Sequence, residues 1–135
     1  MGACRVLKKA TCVGIIILIA GCGGMNKGSF TEQQICVATI AATMGKDPSI
    51  IKVSSSQENI TSLRYYRRQD GKYWKYRCKL EGDKVVWASD PGRWRTGQYD
   101  SKITFSVDGD SLNILENYSD GSSTTRTYNK SQLGS

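Results

Sequence analysis

The sequence predicts an α+β domain, with one N-terminal helix packed on a curled antiparallel β-meander of about seven short strands, a sheet or half-barrel. Three observations carry this. A helix start signal at Thr31 leads into an apolar run that stops at Gly45. From Ile50 onward, apolar and polar residues alternate with period two. Turn pairs recur between the alternating runs, at Asp70-Gly71, Gly82-Asp83, Asp108-Gly109 and Asp120-Gly121. Short turns make successive strands neighbours, which gives meander order.

Thr31-Glu32-Gln33-Gln34 reads as a capping box, with Thr31 as N-cap and Gln34 at the third helical position. Glu32 suits the positive end of the helix dipole. Gly45 fits the position just past the helix and Pro48 lies beyond it. The helix is therefore expected over 32–44. Cys36, Ile40 and Met44 share one face, which would meet the sheet.

A short strand is expected over 50–54. Strands over 60–68 and 72–80 join at Asp70-Gly71, read as a type I′ turn. With those two as the loop, Arg67 faces Trp74, Tyr65 faces Tyr76 and Leu63 faces Cys78. A second turn at Gly82-Asp83 puts Cys78 opposite Trp87 and Leu80 opposite Val85. Both turns place the same residues inside. Asp90-Pro91-Gly92 breaks the pattern, and residues 93–100 read as a loop or irregular strand. Residues 102–107 alternate again. A turn at Asp108-Gly109 sets Phe105 opposite Leu112 and Ile103 opposite Ile114. Asp120-Gly121 turns toward a last strand over 123–128, whose register the sequence leaves open.

The N-terminus has a different character. Arg5, Lys8 and Lys9 precede an apolar run over 13–20, too short to span a hydrocarbon core of ~30 Å as a helix. A basic start, a short apolar core and small residues are the anatomy of a secretory signal peptide. Leu18-Ile19-Ala20-Gly21-Cys22 resembles the lipobox of bacterial lipoproteins. The resemblance implies removal of residues 1–21 and lipidation of Cys22. Several acyl chains at ~0.8 kcal/mol per buried methylene make a stable membrane anchor. In Gram-negative lipoproteins an Asp after the lipidated Cys commonly favours the inner membrane. Here Gly23 follows, which implies the outer membrane, periplasmic face. Residues 22–30 are then the lipidated N-terminus and a tether, with a random-coil reach on the order of 15 Å. Residues 31–135 form a single periplasmic domain.

Of five Cys, Cys4 and Cys12 fall in the leader and Cys22 carries lipid. Cys36 and Cys78 remain, in an oxidising compartment, and a disulfide between them is the economical reading. Lack of a Cys-x-x-Cys pair and of His argues against a redox or metal role.

The chain has no His. That excludes a Ser-His-Asp or Cys-His centre, His-ligated zinc and imidazole acid–base chemistry. No Gly-x-Ser-x-Gly motif occurs either. Most carboxylates sit at turns, where they stay solvated; Glu116 alone lies well inside an expected strand. Asp108-Gly109-Asp110 reads as a hairpin turn, because the remaining ligand positions of a calcium loop are missing. No catalytic residue, cofactor or metal site is expected.

Charge carries the positive signal. Without the leader's three, 16 of the 19 basic residues remain against 12 acids, a net charge of +4. Residues 64–79 alone hold seven basic residues and one acid, Asp70. Period two puts Arg64, Tyr66, Arg68, Tyr73, Lys75, Arg77 and Lys79 on the outer face of the first hairpin, with Arg64 opposite Arg77. Like charges directly opposite destabilise a sheet. A solvated face guarding against edge pairing is one explanation. An anion-binding surface of Arg and Tyr is the other. Trp74 and Trp87 are expected in the core, while Trp94, between Arg93 and Arg95, lies in a loop. The expected function is a non-enzymatic binding module for an anionic envelope macromolecule: a protein, lipopolysaccharide or peptidoglycan. Inhibitor, immunity or exclusion, and assembly-accessory roles fit. A secreted, anchored domain makes nucleic acid a poor partner. The alternative is a lipoprotein holding a small apolar ligand or lipid tail between sheet and helix.

Overall fold

A computed structural model describes residues 27–134. The expected leader, Cys4, Cys12, Cys22 and the first residues of the expected tether lie outside the described residues. One helix, α1 (Glu32–Met44), precedes seven strands: β1 (Lys52–Gln57), β2 (Ile60–Arg67), β3 (Lys72–Glu81), β4 (Lys84–Ser89), β5 (Lys102–Asp108), β6 (Ser111–Asn117) and β7 (Ser123–Asn129). Short 3₁₀ turns occupy Pro48–Ile50 and Lys130–Leu133. The strands form one antiparallel sheet in chain order, with β1 and β7 as its two ends. The class is α+β and the sheet is a meander that does not close.

The helix begins and ends where its caps dictate. Thr31 accepts from the Gln34 amide at 3.1 Å, and the Gln34 side chain accepts from the Thr31 amide at 3.0 Å. Gly45 takes the left-handed conformation, φ 65°, and its N–H donates to the Ala41 carbonyl. Burial differs from the single apolar face expected of Cys36, Ile40 and Met44. Eight consecutive residues, from Gln34 to Ala41, are buried, so the helix middle is enclosed on every side. A helix apolar all round belongs inside a core rather than on one. It touches β1 to β4 and β6, and both 3₁₀ turns. Ile35, Ala38, Ile40, Leu63, Leu112 and Ile114, each at most 1% exposed, fill the space between helix and sheet. Cys36 and Cys78 form the disulfide, with Cα atoms 5.8 Å apart, and tie α1 to β3.

The chain is already part of the domain at residue 27. Phe30 donates its N–H to the Lys27 carbonyl at 3.0 Å, and Phe30 is 3% exposed in the core. Lys27 pairs with Glu32 at 3.4 Å. The tether expected over 22–30 therefore ends earlier, because Phe30 needs the core.

Two hairpin registers differ from expectation by two residues, and one does not. Between β2 and β3, Tyr65 faces Trp74, Leu63 faces Tyr76 and Thr61 faces Cys78. The loop spans residues 68–71 because a type I′ turn needs positive φ at both loop residues, and here only Gly71 has it, φ 67°. Gly71 donates to the Arg67 carbonyl at 2.8 Å, and Asp70 accepts from the Lys72 amide at 3.2 Å. Between β5 and β6, Val107 faces Leu112, Phe105 faces Ile114 and Ile103 faces Glu116. There Gly109, φ 61°, takes the first loop position with Asp110 second. The β3–β4 hairpin has the expected pairs, Cys78 with Trp87 and Leu80 with Val85. A slip of two keeps every side chain on its face. β7 pairs in register with β6, Tyr128 facing Leu112.

The first strand is shifted from 50–54 to Lys52–Gln57. Asp47 accepts from the Ser49 amide at 2.9 Å and starts the intervening 3₁₀ turn. β1 then turns into β2 through Glu58 and Asn59, both at positive φ. A bulge interrupts the β1–β2 pairing between Val53 and Ser55.

Candidate functional site

Alternation along β2 and β3 separates two faces. Leu63, Tyr65, Tyr76 and Cys78 are buried toward α1. Arg64, Tyr66, Tyr73 and Lys75 stand exposed on the helix-free face. Arg68 does not join them, because the four-residue loop takes it out of the strand. Tyr66 and Tyr73 are each 52% exposed and meet edge to face, ring centres 5.4 Å apart.

The remaining cations of this face divide into two groups. Arg77 and Lys79 are engaged by the loop that follows β4. Trp94 bridges to Ala88, and the Arg95 amide donates to the Trp87 carbonyl at 2.9 Å, so the loop runs back along β4 and lays the Trp94 side chain on the helix-free face. The Trp94 ring then lies beneath the Arg77 guanidinium at 4.9 Å and the Lys79 ammonium at 4.5 Å. Arg77 donates to the Gly92 carbonyl and lies 3.9 Å from Asp90; Lys79 lies 3.5 Å from Glu81. This cover buries Val86 and Ala88 on the face that water would otherwise reach. Asp100 ties the loop. It accepts two bonds from Arg93, at 2.7 and 3.1 Å, and one from the Gly97 amide at 2.8 Å. The Arg93 hydrogen bonds foremost, then the Gly97 amide, hold its carboxyl down at about 2.

Arg64 and Lys75 form the other group. They face each other across β2 and β3, and Lys52 faces Arg64 from β1. Three cations thus lie in one row across three strands, with neighbouring side chains starting about 5 Å apart. None of the three makes an ion pair among the described residues. Arg64 stacks its guanidinium 4.5 Å from the centre of the Tyr73 ring. Ser54, Ser55, Ser62 and Asp90 line a groove with Arg64 and Lys75 at the β1 bulge. Comparison with known protein families, with curated proteins and with solved structures finds no match to the chain. The site's own chemistry therefore carries the functional argument.

Lys52 was not expected on this face. Its place follows from the Glu58-Asn59 turn and the bulge, neither of which has a glycine to announce it. The tryptophans also divide. Trp87 packs near Tyr76, at 5.9 Å, while Trp74 is 39% exposed beneath the Arg67 guanidinium. Glu116 is buried and accepts from Ser101 at 2.6 Å and Tyr118 at 3.2 Å, so both its oxygens are used. Ser49 and Lys52 have Ser-x-x-Lys spacing, but the 3₁₀ turn stops at Ile50 and Lys52 begins β1, so they share no helix face. Among the described residues no group of three or more His, Cys, Asp or Glu could hold a metal ion.

Proposed function

We propose that this protein is a lipoprotein anchored through Cys22 in the outer membrane, facing the periplasm, whose domain is a non-enzymatic binding module for an anionic envelope macromolecule. The observation that carries the reading is the unpaired cation row Lys52, Arg64 and Lys75 beside the exposed Tyr66–Tyr73 pair. Like charges placed directly opposite weaken a sheet, so the row is a cost unless an anion joins it. The filled space between helix and sheet favours this surface over an apolar ligand in the core. A curled sheet belongs to the same reading. Its support is a helix enclosed on every side and touched by five strands. The cation row would then lie on the convex side.

The anchor's position bears on the partner. Gly28 lies against Val107, and Gln33 bonds to Ser56 at 3.0 Å, so the chain enters beside the helix start and the Gln57–Ile60 end of β1 and β2. Lys75 is six residues up β3 from Glu81, about 20 Å at strand rise. A tether from Cys22 holds the entry end at the bilayer and the cation row away from it. The partner reaches the row from the periplasm.

The test is capture from detergent-solubilised envelopes with the full chain, beside a variant carrying Lys52→Glu, Arg64→Glu and Lys75→Glu. Arg77 and Lys79 stay native, because they hold the Trp94 loop. A species retained by the native chain at low salt, released as salt screens the row and lost by the folded variant is the expected result. The same species on both chains would remove this face from the function. In parallel, Cys22→Ala should shift the protein out of the membrane fraction; unchanged membrane retention would overturn the anchor.

A further inference from the structure

The groove at the β1 bulge is more specific than a basic face in general. Accepting the binding-module reading, we propose that its ligand is a phosphorylated sugar: a phosphomonoester seated on the Lys52–Arg64–Lys75 row, with the sugar ring against Tyr66 and Tyr73.

Phosphate fits for three reasons. The row places three cations across two strand spacings, about 10 Å, and the long Lys stems let the outer two lean toward the central Arg64. Such a cluster is best matched by one compact anion of charge about −1.5 to −2, which a phosphomonoester is and a single carboxylate is not. Hydroxyls supply the remaining donors. Ser55 and Ser62 face each other across the bulge and line the groove, and neither side chain is hydrogen-bonded among the described residues. Phosphate has oxygens enough for them and for the cations. The Tyr73 ring, its centre 4.5 Å away, holds the Arg64 guanidinium in place, which favours a bidentate grip on two of those oxygens. Asp90 also lines the groove, but it lies 3.9 Å from Arg77, which offsets its charge.

The sugar follows from the adjoining row. Two half-exposed Tyr rings, the next pair on the same face of β2 and β3 after Arg64 and Lys75, offer flat area with polar tips. A ring carrying both CH and OH groups meets that better than a bare phosphate or a flexible acidic side chain.

The experiment is an amide and side-chain NMR titration of the full chain in detergent with glucose 1-phosphate, inorganic phosphate, glucuronate and a short polyglutamate peptide. Glucose 1-phosphate should perturb Ser55, Ser62, Arg64 and Tyr73, and bind at least fivefold tighter than inorganic phosphate or glucuronate. Arg64→Gln with Lys75→Gln should abolish that binding. Tyr66→Ala with Tyr73→Ala should bring glucose 1-phosphate down to the level of phosphate. Equal binding of sugar phosphate and phosphate in the native chain would overturn the sugar assignment, and tighter binding of polyglutamate would overturn the phosphosugar in favour of an acidic protein. No response to any probe would also overturn it. Envelope capture that still depended on the row would then leave the binding-module reading standing, so the two failures are distinguishable.

Discussion

Glu58 sits where its side chain resists, with φ 51°, in the tight turn between β1 and β2. Left-handed backbone costs an ordinary L-residue roughly 1–2 kcal/mol, and Asn bears it better because its short amide bonds locally. Glu58→Asn should therefore stabilise the domain by about 0.5–1 kcal/mol. Urea unfolding should show a raised midpoint at unchanged slope; an unchanged midpoint would mean the turn is not strained. Asp100 makes a different single-residue prediction. Its folded pKa of about 2 lies below the unfolded carboxylate value of about 3.9. A depressed carboxyl contributes stability that is whole above the unfolded value and is lost as pH falls through the folded one. The loop around Trp94 should hold down to about pH 4 and loosen toward pH 2. The Gly97 amide, which donates to Asp100, reports this directly in an NMR pH titration. Asp100→Asn should remove the step near pH 2; a step that persists would assign it to another group.

At the scale of elements, the disulfide joins α1 to β3 across 42 residues of sequence. In the chain-entropy model a closed loop of that length stabilises by about 4 kcal/mol. Replacing both Cys36 and Cys78 by Ala should lower stability by 2–5 kcal/mol on the scale typical of small secreted domains. Replacing both avoids a free thiol, and a loss under ~1 kcal/mol would show that packing alone fixes the helix on the sheet. The same elements show what a sequence reveals. Helix α1 was legible to the residue, because Thr31, Gln34 and Gly45 are local signals that need no tertiary context. The faces of β2 to β6 were legible because period two survives a register error of two. The registers at Asp70 and Asp108 were not. They depend on which loop residues take positive φ, and an Asp-Gly pair allows more than one loop around it. Lys52 stayed hidden for the same reason, behind a turn and a bulge that carry no glycine. The enclosure of α1 was hidden too, since its composition shows a helix that can be buried without showing what buries it.

Across the whole molecule, the cations of the helix-free face are divided by what the fold does with them. Arg77 and Lys79 are absorbed into the cover formed by Trp94, whereas Lys52, Arg64 and Lys75 are left facing one another. A row kept for a ligand should weaken the unliganded domain, as residues selected for binding often do. Lys75 is the clean probe. Arg64 recovers part of its cost by stacking on Tyr73, about 0.5–1 kcal/mol at an exposed site, and Lys75 has no such contact. Lys75→Gln removes the charge and its repulsion while keeping an unbranched polar side chain. In low salt it should stabilise the domain by about 0.2–1 kcal/mol. The gain should shrink at ~0.5 M salt, where screening falls below the spacing of the row. The same substitution should weaken capture of the proposed envelope partner. Stability rising while binding falls is the signature of a site; a structural role for Lys75 would lower both. Urea midpoints at two ionic strengths, read beside the capture experiment, separate the two. A loss of stability at low salt would show that the surrounding groups already compensate the row, and that its repulsion argues nothing about a ligand.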